Sequence, residues 1–268
     1  MLTFFLISLI AGCVVGFLAG LFGIGGGLVV VPTLVYLLPI VGVPDSMLMS
    51  TALGTSFATI VITGFSSAHR HHKLGNIVWP AVKYLAPAIM VATFLSGLFI
   101  GKLPKDISSK IFAVLVVYLV VKMMISATQK TTAQSETGKP LTPRSSVLGG
   151  ILIGIASSAA GIGGGGFIVP FLHSRGIEMK KAIGSSAFCG ALLGISGMLS
   201  FIAAGWQAPG MPHWSIGYIY LPAVLSITAT SFFTSKIGAT TTTKLPVPML
   251  KRYFAVFLIC VAIKMILD

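Results

Sequence analysis

Two long stretches of this chain, residues 1–44 and 182–235, contain no Asp, Glu, Lys or Arg. A helix that crosses a bilayer needs only about 20 predominantly apolar residues, so each stretch is long enough to cross more than once. Of the 268 residues, 55% are hydrophobic and 9% are charged, and a soluble domain of this length could not bury so much apolar surface. We therefore expect an all-α polytopic membrane protein.

The chain also contains an internal repeat that begins at two glycine runs. Residues 23–32 read GIGGGLVVVP, and residues 161–170 read GIGGGGFIVP. Further matching segments follow in the same order at a nearly constant offset: ALGTS at 52–56 with AIGSS at 182–186, PAV at 80–82 with 222–224, KLP at 102–104 with 244–246, and FAV at 112–114 with 254–256. The chain is therefore a duplicated unit.

The duplication predicts three regions: a first transmembrane repeat at 1–127, a polar linker at 128–146, and a second repeat at 147–268. Each repeat has five apolar segments. They cover residues 2–22, 28–38, 47–68, 77–100 and 111–127, and then 147–160, 167–172, 182–204, 215–235 and 253–267. An odd number of segments predicts that the second repeat is inverted relative to the first, a layout common among secondary transporters. Because the second segment of each repeat is short, we expect 8–10 membrane segments, with helices that are broken at glycines or re-entrant.

Basic loops test the inversion independently, since Lys and Arg mark the cytoplasmic side of a membrane protein. Residues 40–46 carry no basic residue, whereas the equivalent residues 173–181 carry three; residues 69–76 are basic, whereas 205–213 are not. Equivalent loops thus lie on opposite sides of an inner membrane, with the linker cytoplasmic and both termini outside. Only four of the 18 basic residues then lie outside: Lys102, Lys105, Lys110 and Lys264.

This orientation also explains the net charge of +13 without a nucleic-acid partner, for which the chain has no motif. None of the apolar segments contains Asp or Glu, which excludes a carboxylate ion relay and intramembrane catalysis by such groups.

Cys13, Cys189 and Cys260 lack the spacing of metal ligands and are expected to be buried apolar filler. His69, His71 and His72 predict a solvated cluster in the basic loop, with metal binding or pH sensing as the alternative. No cofactor, metal or enzymatic activity is expected.

What remains at membrane depth is backbone. Each Gly costs about 1 kcal/mol relative to Ala inside a helix, so the glycine runs, with Pro32 and Pro170 after them, favour helix breaks. A helix that begins after each break would direct unpaired N–H groups and its positive dipole end at a small anion. The predicted substrate-binding residues are Gly25, Gly26, Gly27 and Leu28, then Gly163, Gly164, Gly165 and Gly166, with hydroxyls from Thr55, Ser56, Ser185 and Ser186.

Simpler interpretations exist for the same residues. The glycine runs could be tight turns or packing positions, and the hydroxyls could bind their own helix backbone. Gly12, Gly16 and Gly20 are spaced by four and predict a ridge of close helix packing, as do Gly190 and Gly194.

The duplicated glycine-to-proline motif, the GTS and GSS segments, and the KLP and FAV segments together resemble the TauE/SafE family of sulfite exporters and related transporters. The resemblance covers essentially the whole chain apart from the linker. It implies a secondary transporter that exports a small sulfur-containing anion, such as sulfite or a sulfonate, with its sites near the glycine runs. An anion channel on the same scaffold is an alternative, and so is a thiol relay through Cys13 and Cys189, although neither cysteine has a neighbouring His, Lys or Cys in sequence.

Overall fold

A computed structural model describes residues 2–22, 26–128 and 141–241. This part of the chain contains nine α-helices: α1 (Leu2–Phe22), α2 (Gly27–Leu37), α3 (Leu48–Lys73), α4 (Trp79–Ile100), α5 (Lys105–Thr128), α6 (Pro143–Ala160), α7 (Gly165–His173), α8 (Met179–Ala204) and α9 (Leu221–Thr241). Two short 3-10 turns, Leu38–Val41 and Asp45–Met47, connect α2 to α3. A small antiparallel hairpin of β1 (Ser215–Ile216) and β2 (Ile219–Tyr220) precedes α9.

Four of the described helices, α1, α3, α4 and α8, are long and apolar enough to cross a membrane. Large apolar side chains point outward from them, including Ile10, which is 67% exposed, and Phe99, which is 78% exposed. Such surfaces are unfavourable in water and suit contact with lipid tails. The structure therefore confirms an all-α membrane protein.

The helices form two three-helix bundles. In the first bundle, α1 and α3 pack along α9, and Gly12 and Gly20 of α1 lie against Ile227 and Ser235, so α1 and α9 are parallel. In the second bundle, α6 and α8 pack along α4, with Gly150 and Gly154 of α6 against Leu85 and Ile89. Each bundle thus combines two helices of one predicted repeat with the fourth helix of the other.

The two bundles meet where α3 crosses α8. Along this crossing Gly197 lies against Phe57, Gly194 against Ile60, and Gly64 against Ala191. Residue numbers rise along α3 as they fall along α8, so the two equivalent helices run antiparallel.

Small residues allow these close approaches. An added Cβ at Gly12, Gly16 or Gly20 would overlap α9, and one at Gly194 would press on the backbone of α3, which confirms the predicted packing positions. Gly190 differs, because an added Cβ would meet the carbonyl oxygen of Gly163 in the second glycine run.

The predicted solvated histidine cluster is wrong for His71. Helix α3 continues through the expected loop to Lys73, because basic side chains in a last turn interact favourably with the negative end of the helix dipole. The exposed His69 and His72 flank His71, which is fully buried. Its Nε2 lies 3.3 Å from the carbonyl oxygen of Gly20, so the ring joins α3 to α1.

Two predicted segment boundaries also differ from the structure. The segment expected at 215–235 begins with the hairpin, and α9 starts only at Leu221, where Pro222 in the first turn suits a helix start. Helix α6 begins at Pro143, inside the expected linker, because Thr142 and Ser145 form a capping box. The fifth segment of the second repeat, at 253–267, and residues 129–140 of the linker lie outside the described residues.

Candidate functional site

Helices α2 and α7 begin in the same way, directly after a glycine in the left-handed conformation. Gly26 has φ 80 before α2, and Gly164 has φ 74 before α7, a backbone geometry that residues with a Cβ adopt only under strain. An added Cβ at Gly26 would meet the side chain of Val15, about 10 Å inside the end of α1. Helix α2 therefore begins inside the protein rather than at the end of α1. Gly25 lies outside the described residues.

The two glycine runs touch. A Cβ at Gly27 would overlap the carbonyl oxygen of Gly161 and approach Ile162, so the first residue of α2 lies on the segment that leads into α7. Ser56 of α3 donates a hydrogen bond to the same Gly161 carbonyl at 2.8 Å. All of these residues are buried. The structure thus brings Gly27, Ser56 and Gly161 together in one place.

Backbone donors remain unused at both helix starts. Val29 and Val30 both donate to the Gly26 carbonyl, while Phe167 and Ile168 both donate to that of Gly164. Two residues precede these donors in each helix: Gly27 and Leu28 in α2, and Gly165 and Gly166 in α7. Within the described ranges, their N–H groups have no hydrogen-bond partner. These N–H groups lie at the positive dipole ends of their helices, which is the arrangement that binds small anions in proteins.

The prolines do not end the helices, so their assignment to helix breaks is wrong. Pro32 lies inside α2, and Pro170 lies inside α7. Each helix tolerates the missing proline N–H and continues for several residues. The interruption lies at the glycines before each proline.

Two more of the predicted site hydroxyls bind the opposite repeat, as Ser56 does. Thr55 accepts a hydrogen bond from the N–H of Tyr220 at 3.0 Å, directly before α9, and Ser185 accepts one from Val78 at 2.8 Å, directly before α4. These contacts are neither to an anion nor to their own helix backbone. Thr55 and Ser185 therefore fasten the start of the fourth helix of the other repeat. Ser186, the remaining predicted hydroxyl, is fully buried.

Glycines next to these hydroxyls complete the contacts, and the sequence analysis missed them. A Cβ at Gly54 would reach the carbonyl oxygen of Tyr218, and one at Gly184 would overlap that of Asn76. Gly54 lets the hairpin before α9 approach α3, and Gly184 lets the loop before α4 approach α8. In each case the neighbouring hydroxyl accepts a backbone hydrogen bond from that segment. The shared GTS and GSS pattern was the available signal.

We expect Thr55→Val and Ser185→Ala each to lower the free energy of unfolding by about 1–3 kcal/mol, because a buried or partly buried backbone N–H then loses its acceptor. Thr228→Val is the matched control, since the Thr228 hydroxyl is also buried but donates to Val224 of its own helix. Chemical denaturation in detergent measures all three. If Thr228→Val lowered the free energy of unfolding as much as the other two variants, the hydrogen bonds between the repeats would contribute no more to stability than one within a helix.

Ser157 is a further residue that the sequence analysis missed. Its carbonyl accepts the N–H groups of Gly161 and Ile162, so it belongs to the last turn of α6 before the second glycine run. Its hydroxyl is fully buried and has no partner in the structure as described. A buried hydroxyl without a partner is unfavourable unless something else binds it. In the sequence, the Ser157–Ser158 pair at the end of an apolar segment could have indicated a buried hydroxyl next to the second glycine run.

Comparison with known proteins identifies the family. The sequence model of the family described as "Sulfite exporter TauE/SafE" matches residues 8–265. A "Probable membrane transporter protein" of Haemophilus influenzae is 71% identical over 267 residues, which cover 100% of both chains. A protein with the same description from Methanocaldococcus jannaschii is 30% identical over 86% of this chain and 83% of its own. One from Bacillus subtilis is 23% identical over 98% of each. No solved structure matches the chain significantly.

The names of these relatives describe membrane transporters rather than enzymes, in agreement with the apolar helices. The family match extends over nearly the whole chain, including both glycine runs. The chain therefore belongs to the TauE/SafE sulfite exporter family of membrane transporters.

Proposed function

We propose that this protein exports a small sulfur-containing anion, such as sulfite or a sulfonate, by alternating access, and that backbone N–H groups at the starts of α2 and α7 hold the anion. The contact between Gly27 and Gly161 carries the proposal, because it joins the two glycine runs in a buried region with unpaired donors. The family description supplies the class of substrate.

The chemistry of the helix starts suits a reversible anion site. Helix α2 contains no charged residue, and α7 contains none apart from a terminal His173. Neutral N–H donors can bind an anion in a region of low dielectric without the strong attraction of a buried Lys or Arg. A transporter must release what it binds, and this favours dipoles over fixed charges. The unpaired Ser157 hydroxyl is a further donor in the same part of the chain.

Two inverted repeats are part of the same proposal. Supporting it, α1 packs on α9 as α6 packs on α4, and α3 runs antiparallel to its equivalent α8. The hydrogen bonds of Thr55 and Ser185 are a matching pair between the halves. We assign the two repeats to residues 1–127 and 147–268, with eight to ten membrane segments in all.

The distribution of charge supports an orientation. Arg70 at the end of α3 donates to Thr240 at the end of α9, and antiparallel α8 begins with Lys180 and Lys181 at that same end. At the other end Lys105 forms a salt bridge of 2.7 Å with Asp45, which offsets one of the basic residues expected outside. We assign the basic end to the cytoplasmic side of the inner membrane, with the termini outside.

Transport by purified protein in proteoliposomes tests the function. We expect saturable counterflow of labelled sulfite that unlabelled sulfite or a sulfonate stimulates and a carboxylate does not. A channel would pass the anion without stimulation by anion on the opposite side. Replacement of Cys13, Cys189 and Cys260 by Ser should leave counterflow largely intact, since Cys13 and Cys189 have no neighbouring His, Lys or Cys in sequence. Cys13 is exposed on α1, so the expectation that it is buried is wrong, whereas Cys189 is fully buried as expected. Loss of transport in a folded triple variant would support the thiol relay instead.

A further inference from the structure

An apolar groove runs along the outer surface of the second bundle. It lies between α4 and α6 and has a volume of about 740 Å³. Small residues of α4, Ala88 and Ala92, form its floor, while exposed side chains such as Leu95 and Ile151 form its walls. The groove follows α4 from residue 83 to residue 99, which is about 24 Å at the rise of an α-helix. It thus extends along most of the hydrocarbon core, which is about 30 Å thick.

One end of this groove carries a charge. Lys83, in the first turns of α4, lines it, and the ammonium group has no hydrogen-bond or ion-pair partner among the described residues. Its Nζ lies 6.0 Å from the centroid of the Tyr84 ring. Trp79, 47% exposed at the start of the same helix, is a residue type typical of the membrane interface. Lys83 therefore lies where a long side chain reaches the level of lipid headgroups.

Pro87 adds a polar feature at the same end. It lines the groove inside α4 and has no N–H, so it cannot donate to the carbonyl of Lys83 as other residues would. The carbonyl of Lys83 therefore lacks its usual helical donor, beside the Lys83 cation at this end of an otherwise apolar groove.

We propose that this groove binds one anionic phospholipid, with its phosphate on Lys83 and an acyl chain between α4 and α6. Charge complementarity selects the ligand, because an apolar groove that ends in an unpaired cation fits a molecule with an apolar chain and an anionic head. The equivalent surface of the first bundle provides a comparison. Leu225 of α9 corresponds to Lys83 and is 68% exposed, so that surface lacks the cation.

Native mass spectrometry of the full-length protein in detergent tests the proposal, with phosphatidylglycerol and phosphatidylcholine as the added lipids. We expect the protein to retain one phosphatidylglycerol in preference to phosphatidylcholine. Lys83→Gln should weaken that retention about fivefold, the effect of one basic residue near an anionic surface. Ala92→Phe fills the floor and should weaken retention of both lipids. Lys122→Gln is the control, because Lys122 also lies beside a tyrosine, Tyr118, but does not line the groove.

Three results would overturn the proposal. Lys83→Gln could retain phosphatidylglycerol as well as the unmodified protein, or Lys122→Gln could weaken retention equally. Alternatively, the unmodified protein could prove to be a dimer that Ala92→Phe converts to a monomer while lipid retention stays unchanged, in which case a second copy of the chain occupies the groove. Lys83→Gln changes only an exposed side chain, so it remains informative if Ala92→Phe does not fold. The lipid site is independent of which anion the protein transports.

Discussion

A disulfide between Gly54→Cys and Phe201→Cys should abolish transport in proteoliposomes, and a reducing agent should restore it. Gly54 lies near the start of α3 in the first bundle, and Phe201 lies near the end of α8 in the second. A Cβ added at Gly54 would be 3.0 Å from the Cβ of Phe201, within reach of a disulfide after adjustment. The same Cβ would press on the carbonyl oxygen of Tyr218 at 2.5 Å, so the reduced variant must first be shown to fold and to transport. The proposed alternating access requires the bundles to separate at this end, because the anion would leave between them. We expect at least a tenfold lower transport rate in the oxidised protein.

The matched control is a disulfide within one bundle. In Gly97→Cys with Ser200→Cys, the added Cβ at Gly97 is also 3.0 Å from that of Ser200, but α4 and α8 both belong to the second bundle. This disulfide should leave transport largely unchanged. Both pairs are made after replacement of the native cysteines, and each is compared with its own reduced form, which removes the effect of losing the Phe201 ring. Full transport by the oxidised Gly54–Phe201 pair would show that the bundles do not separate there.

The repeat motifs could be recognised in the sequence, but the hydrogen-bond partners of their side chains could not be predicted from it. Thr55 and Ser185 stand out because GTS and GSS recur in equivalent segments. Their hydrogen-bond partners, Tyr220 and Val78, lie 165 and 107 residues away, and no local pattern indicates such a contact. A buried hydroxyl is equally compatible with a substrate, its own helix or a distant loop. Only the packing of α3 and of α8 against the opposite repeat decides between them.

Helix ends show a similar limit. The loss of apolar character after residue 68 predicts the end of α3. The helix continues to Lys73, because basic side chains suit its last turn and His71 joins that turn to α1. Pro32 and Pro170 were expected at breaks, yet each lies within a short helix that tolerates one missing hydrogen bond. The glycine runs were more informative, since helix starts at Gly27 and Gly165 depend on local backbone geometry. That the two runs touch depends on the arrangement of the whole fold.

We expect Gly166→Pro to weaken anion binding about 10- to 150-fold, the effect of losing one hydrogen bond to a charged group. Gly166 lies in the first turn of α7, where proline is tolerated and where the N–H has no intrahelical partner. Proline therefore removes the proposed donor and keeps the helix. An added Cβ would meet only the side-chain end of Leu119, at 3.0 Å. Gly26 and Gly164 are less suitable, because any side chain strains their left-handed backbone.

Gly166→Ala is the control for this variant, since it adds the same Cβ and retains the N–H. The decisive measurement is the dissociation constant of sulfite for purified unmodified protein, Gly166→Ala and Gly166→Pro, with thermal stability recorded for each. If backbone N–H groups at the helix starts bind the anion, Gly166→Ala will bind within about twofold of the unmodified protein, and Gly166→Pro will bind at least about tenfold more weakly at similar stability. Equal dissociation constants for the proline and alanine variants would contradict the proposed site.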